Sequence, residues 1–212
     1  MYVNKQAVCH QHNSFKHKKE PPVSARILAT FLLILLSTTA SAQRIDINLK
    51  QDSARFSYVT LVGGSTFGRT EMTAGILYNE DGNQVANVDL QVIDVAGSKT
   101  PGLELGVGPR FYYLKHDNTN SSGAAVALGG QLRYKLPNVQ RTSLIGNLFY
   151  APSITTTLDA ENMYEFGLGV SYELLPTANV YLKYRRIRAN FTKGIGVENI
   201  DSGTVVGMTF TF

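Results

Sequence analysis

The chain has no tryptophan and one cysteine, Cys9. Cys9 lies in an N-terminal segment with the marks of a leader. Without it the remainder can hold no disulfide, no thiol nucleophile and no thiolate metal site. No cysteine follows the apolar run of the leader, which also excludes a lipid-modified anchor. Histidine is almost as scarce: after residue 42 only His116 remains. A lone imidazole beside Asp117, with Ser121 and Ser122 nearby in a loop of Asn, Thr and Ser, is expected to be a solvated loop histidine. It has no second imidazole for zinc and no evident orienting third group for a Ser-His-acid hydrolase. Helical periodicity is nearly missing after Ala42, and so is an excess of one charge. Of the 20 basic and 16 acidic residues, five and one fall in residues 1–42, which leaves fifteen of each. The basic balance of the whole chain therefore belongs to the leader, and no argument for nucleic-acid binding survives it.

What is present begins with that leader. ILATFLLILL (27–36) follows Lys16, Lys18, Lys19 and Arg26, and Ala40-Ser41-Ala42 follows it as an A-x-A cleavage pattern. The run is shorter than the roughly 20 residues a spanning helix needs. The expectation is a leader over 1–42, with an h-region at 27–36 and signal-peptidase cleavage after Ala42. No Met lies between Met1 and Met72, and residues 1–23 exceed an ordinary n-region. A non-ATG start near Val23 is the corresponding expectation.

Residues 43–212 alternate with period two almost throughout. In GLELGVGPRFYYL (102–114), Leu103, Leu105, Val107, Phe111 and Tyr113 share one face, opposite Glu104, Gly106, Gly108, Arg110 and Tyr112. The segments 123–136 and 161–174 repeat the pattern. Eight strands are expected near 69–79, 84–94, 102–114, 123–136, 141–151, 161–175, 178–190 and 202–212. Two weaker ones are expected near 44–50 and 54–63. Connections alternate between short turns around Pro101, Pro137 and Pro176 and polar segments at 79–83, 115–123, 152–160 and 192–200. That alternation predicts an all-β, antiparallel up-and-down transmembrane β-barrel of eight to ten strands in the cell outer membrane. The short turns would be periplasmic and the polar loops external.

A soluble barrel would also alternate, with its apolar face inside. Here one face carries large apolar and aromatic side chains. The other mixes Gly, Ala and Ser with charges of both signs, which suits a narrow charge-filled lumen. Period two puts Glu104, Arg110, Arg133, Lys135, Glu165, Lys183 and Arg185 on the lumen face as a network of paired charges. Arg186 and Arg188 of YRRIR (184–188) point outward, near the external end of their strand. They are expected at the lipid headgroup level, against lipopolysaccharide phosphates. EDGN (80–83) reads as a turn, and GGSTFG (63–68) has no following helix and is no phosphate loop.

Residues 54–212 resemble the YfaZ family of small Gram-negative outer-membrane proteins. The matching stretches are LVGGSTFGRTEMTAGILYNEDGNQVANVDLQV (61–92), AAVALGGQLRYKL (124–136), LFYAPS (148–153) and MYEFGLGVSYELLPTANVYLKYR (163–185). The resemblance implies an outer-membrane barrel and carries over no catalytic residue. The alternating end with Met208, Phe210 and terminal Phe212 likewise resembles the signal read by the outer-membrane assembly machinery. The expected function is structural or a narrow selective pore, since side chains nearly fill so small a barrel. The alternative is a surface-binding module, an adhesin or lipid-binding protein, acting through external loops. An enzyme ranks last. Expected partners are outer-membrane lipid, lipopolysaccharide and the assembly machinery, with no cofactor, no metal, no nucleic acid and a monomeric state.

Overall fold

A computed structural model of the chain describes residues 43–212 apart from 67, 98–99, 117–120, 159 and 192–195. The expected leader (1–42) and the side chain of His116 lie outside the described residues. The strands in chain order are β1 (Gln43–Lys50), β2 (Ser53–Ser65), β3 (Gly68–Asn79), β4 (Gln84–Val95), β5 (Leu103–His116), β6 (Ser121–Lys135), β7 (Thr142–Ala151), the short β8 (Thr156–Leu158), β9 (Ala160–Leu175), β10 (Ala178–Phe191) and β11 (Gly196–Thr211). All pairings are antiparallel, and neighbours in sequence are neighbours in the sheet. The sheet closes on itself where β1 pairs with β11, from Arg44 opposite Thr211 to Leu49 opposite Val206. The seam is finished by two reciprocal backbone bonds. The Gln43 amide donates to the Phe212 carbonyl at 3.0 Å, and the Phe212 amide donates to the Gln43 carbonyl at 2.9 Å. Setting β8 aside, ten strands form the wall, the upper end of the expected range.

One end of the barrel, here called the terminal end, carries the start of β1, the end of β11 and the turns holding Pro101, Pro137 and Pro176. Proline has no amide to give to a ladder, which suits these three to connections; Pro109, inside β5, falls where the β4–β5 pairing is interrupted between Asp89–Arg110 and Val92–Val107. The opposite, distal end carries the connections expected to be long polar loops. Among the described residues, most of that length is strand. β5 runs on to His116, β6 starts at Ser121 and β11 starts at Gly196. In the 152–160 segment, Ser153–Thr155 form a single 3-10 turn, and β8 then pairs with Gly123–Ala125 of β6, beyond the end of β7. Ser, Thr and Asn suggested loops because of their polarity. Ladder bonds are made by the backbone, however, and at a wet rim polar side chains cost a strand little.

The two faces are sharply different. Ile76, Val88, Leu90, Val107, Phe111, Leu128, Leu148, Leu168, Leu182 and Val206 all stand exposed on the outer surface, Leu128 at 69%. A continuous apolar ring of this extent far exceeds what a water-facing surface tolerates. It fits a hydrocarbon slab, in which a closed sheet is the only strand arrangement that satisfies every backbone group. Tyr78, Tyr113 and Tyr150 are exposed near the distal strand ends, where aromatic girdles sit.

Closure predicts a gel signature. Samples kept cold in SDS should migrate differently from boiled ones, because the ladder resists detergent until heated. Identical mobility before and after boiling would contradict a closed barrel.

Candidate functional site in the barrel bore

Inward-facing residues divide the bore along its length. The distal half is apolar. Leu77, Leu114, Phe149, Met163, Ile187 and Phe191 are each 0–3% exposed and belong to one cluster with small alanines such as Ala125 and Ala151. The sequence reading missed this. It assigned large apolar side chains to the outer face and small or charged ones to the inner face. In stretches such as NLFYA (147–151) aromatics alternate with other apolar residues, so both faces look alike.

Below the cluster lies a buried carboxylate, Glu165 on β9, which is 2% exposed. Four donors from three other strands, β2, β5 and β7, converge on it. Arg55 Nη1 reaches Oε1 at 2.8 Å and Asn147 Nδ2 reaches the same oxygen at 3.2 Å. The Tyr112 hydroxyl donates to Oε2 at 2.6 Å and Arg110 Nη1 donates to it at 3.2 Å. Arg110 also holds Asp89 at 2.9 Å, and Gln91 donates to the other Asp89 oxygen at 2.8 Å. The Arg110 guanidinium carbon sits 3.7 Å from the centroid of the Phe149 ring. One face of this cation is therefore stacked on the apolar cluster while its edges serve carboxylates, a geometry open to Arg and not to Lys. A second buried pair stands on the neighbouring strands β10 and β11. Arg185, 0% exposed, donates to Asp201 at 2.6 Å and to Ser53 Oγ at 3.3 Å. It also donates to the side-chain oxygen of Asn48.

The terminal half of the bore is wetter and open. A cavity of about 140 Å³ and an adjoining one of about 150 Å³ lie against residues of all ten wall strands. Their walls carry a chain of ion pairs. Arg44 meets Glu71 at 2.7 Å, Arg69 meets Glu71 at 2.8 Å, and Arg69 meets Glu104 at 3.2 Å. Asp46 accepts from the Tyr181 hydroxyl at 2.8 Å and from Thr209 at 2.8 Å. Tyr181 reaches over the neighbouring strand β11 to do so, and its ring occupies the space a Cβ at Gly207 would need. The glycine is there for the close approach of the ring.

The residues singled out from sequence fall into distinct places. Glu104, Arg110, Glu165 and Arg185 take part in ion pairs, but with one exception their partners are residues the pattern did not pick out: Arg69, Asp89, Arg55 and Asp201. Only Arg110 and Glu165 pair with each other. Arg133 and Lys183 face the cavities but have no carboxylate within ion-pair distance among the described residues. The Lys183 ammonium lies 5.5 Å from the Tyr181 ring. Lys135 stands exposed at the terminal rim, outside the network, because β6 ends there. Arg186 and Arg188 alternate with buried Arg185 and Ile187 and so face outward. They are half-buried beside Phe166 and Tyr164 of β9, and neither Nε has a hydrogen-bond partner. Met208, Phe210 and Phe212 also face outward, with Phe210 and Phe212 exposed. Among the described residues no group of three or more His, Cys, Asp or Glu is placed to hold a metal.

A closed ten-strand antiparallel sheet, apolar outside and ionic within, is a small transmembrane β-barrel of the outer-membrane type. The chain belongs to the YfaZ family: the family model described as "YfaZ precursor" matches residues 24–212. Solved structures similar to it include a bacterial polysaccharide outer-membrane secretin, at 13% identity and TM-score 0.43. That match covers 82% of this chain and 66% of the secretin. A KdgM porin is 9% identical, with TM-score 0.40, over 81% of this chain and 99% of the porin. A NanC porin is 12% identical, with TM-score 0.41, over 82% of this chain and all of the porin. At these identities the likeness concerns the barrel fold alone. No curated protein matches the chain.

The ionic layer predicts unequal responses to substitution. Glu165→Ala leaves Arg55 and Arg110 buried without their shared carboxylate, and removing one partner of a buried pair costs about 3–5 kcal/mol. Arg185→Ala strands Asp201 in the same way. Both should lower the temperature of the gel shift and the urea midpoint in detergent. Arg133→Gln, which breaks no ion pair, should leave both unchanged.

Proposed function

We propose that this protein is a structural, non-conducting barrel of the outer membrane, with its terminal end in the periplasm and its distal end outside. The observation that supports this reading is the apolar cluster. Side chains of Leu77, Leu114, Phe149, Met163, Ile187 and Phe191 fill the distal half of the bore, with exposures of 0–3%. A solute entering from below would meet the buried ionic layer and then a dry plug. Crossing either means stripping water from the solute without replacing its hydrogen bonds. The same observation weighs against a narrow selective pore. The external connections are short, which weighs against an adhesin acting through long loops. Every buried carboxylate described above has donors already in place, which favours a scaffold role for these groups over catalysis.

On this reading the partners are lipids and the assembly machinery, and the barrel works as a monomer. Arg186 and Arg188, outward on the distal part of β10 with unpartnered Nε atoms, are the groups to meet lipopolysaccharide phosphates. Phe210 and Phe212, at the end of the strand that closes the sheet, are the groups the assembly machinery reads.

Planar-bilayer recording tests the main claim. Wild-type protein, inserted and verified by its gel shift, should give no unitary steps. Phe149→Ala combined with Met163→Ala should open a leak, since both side chains are fully buried in the plug. Regular conductance steps from the wild type would overturn the non-conducting reading and restore the pore.

A second prediction separates assembly from stability. Phe212→Ala should lower the amount inserted in cells and leave material in the periplasm for proteolysis. The same variant refolded into detergent should reach a near-normal heat-modifiable form, because the exposed ring supports no buried contact. Normal insertion together with instability in detergent would make Phe212 a packing residue.

A further inference from the structure

The cavities in the terminal half of the bore contain two cations the ionic network does not use. Each carboxylate of the wall is already held. Glu71 lies between Arg44 and Arg69, Glu104 is on Arg69, Glu165 is on Arg55 and Arg110, and Asp46 accepts from Tyr181 and Thr209. Arg133 and Lys183 remain. Both line both cavities, and neither has a hydrogen bond or ion pair with a described residue.

They also stand in one lateral row of the wall. Arg133 on β6 is opposite Ile145 on β7, Ile145 is opposite Gly169 on β9, and Gly169 is opposite Lys183 on β10. Three strand steps of about 4.8 Å separate the two backbones. Both side chains face the same recess from this row. Of the two residues between them, Gly169 has no side chain and Ile145 lines the cavity wall. Gln131 and Asn147, which also line both cavities, stand in the next inward-facing row toward the plug.

Two cations that line one narrow recess without a carboxylate bonded to either disfavour each other's charge, and the cost rises as water is excluded. An arrangement of this kind is relieved by a bound anion. A phosphate or carboxylate group can take the Arg133 fork through two oxygens and the Lys183 ammonium through another. The recess is closed above by Glu165 with its donors and by the apolar cluster, so an anion can enter only through the open terminal mouth.

We infer that the terminal half of the bore is a blind binding site for a small anion bearing a phosphate or carboxylate group, held between Arg133 and Lys183. This goes beyond the structural role proposed above and gives the barrel a ligand without making it a channel.

The test uses the full mature barrel folded in dodecyl maltoside, a detergent without phosphate, at low ionic strength. Inorganic phosphate is the probe, followed by 31P line broadening and calorimetry. The wild type should bind it saturably, and affinity should fall with added salt. Arg133→Gln and Lys183→Gln should each weaken binding about tenfold, since each removes one charge-assisted contact. The double variant should abolish binding while keeping its gel shift. Arg186→Gln with Arg188→Gln, on the outer surface, should bind as wild type does.

Absence of binding to the wild type would overturn the inference. So would unchanged binding by the double variant, or loss that follows the outer pair instead. A double variant that fails to fold would make the two cations structural and overturn it as well. The outcome is independent of the conductance experiment. A barrel that conducts yet binds phosphate through these two residues would refute the closed bore and leave the site standing.

Discussion

The constraint on which everything else rests is that no backbone amide or carbonyl can be left open to hydrocarbon. A strand cannot satisfy its own groups, so a sheet in that medium must have no edge. The β1–β11 seam meets this demand, and the mutual bonds of Gln43 and Phe212 carry it to the last residue. Closure then dictates the rest. Period-two alternation divides each strand between lipid and bore, the outward set must be apolar, and whatever faces inward shares a small volume. Ten strands leave too little room for a wide water column. Inward side chains must therefore pack or pair.

Both solutions appear, one above the other. In the distal half the inward side chains pack as a protein core does, around Phe149 and Met163. Below it they pair, with Glu165 receiving donors from strands on several sides of the bore. Arg110 joins the two solutions by stacking on Phe149 while binding Asp89 and Glu165. Charges next to a dry cluster have no solvent to fall back on, so each must be satisfied by the wall. The network is most complete where the apolar cluster begins and loosens toward the open end, where Arg133 and Lys183 have no hydrogen-bond or ion-pair acceptor among the described residues.

The strand pattern was open to reading from sequence because the outward face of each strand is chemically uniform. Alternation in 102–114 or 161–174 is visible without partners, and the weaker pair at 44–50 and 54–63 is strand as expected. Face assignment also followed for Glu104, Arg110, Arg133, Glu165, Lys183 and Arg185. Their pairing did not. Arg55 and Glu165 lie 110 positions apart, and such contacts depend on barrel register, which no local pattern encodes. The apolar plug was hidden because Leu77 and Phe149 sit one position from outward apolar residues. The distal loops looked longer than they are because hydroxyl and amide side chains at a wet rim read as turns whether or not their backbone is paired.

The plug has an electrical consequence. A barrel open at both ends lets salt from either side screen its interior charges, over roughly 8–10 Å at ordinary ionic strength. Here the apolar side chains around Phe149 keep mobile ions out of the distal half. Counter-ions can approach Arg44, Arg69, Arg133 and Lys183 only through the terminal mouth. With that mouth in the periplasm, the bore is in effect an electrode dipped into one solution. Its charges respond to periplasmic ionic strength and are insulated from the salt of the world outside the cell.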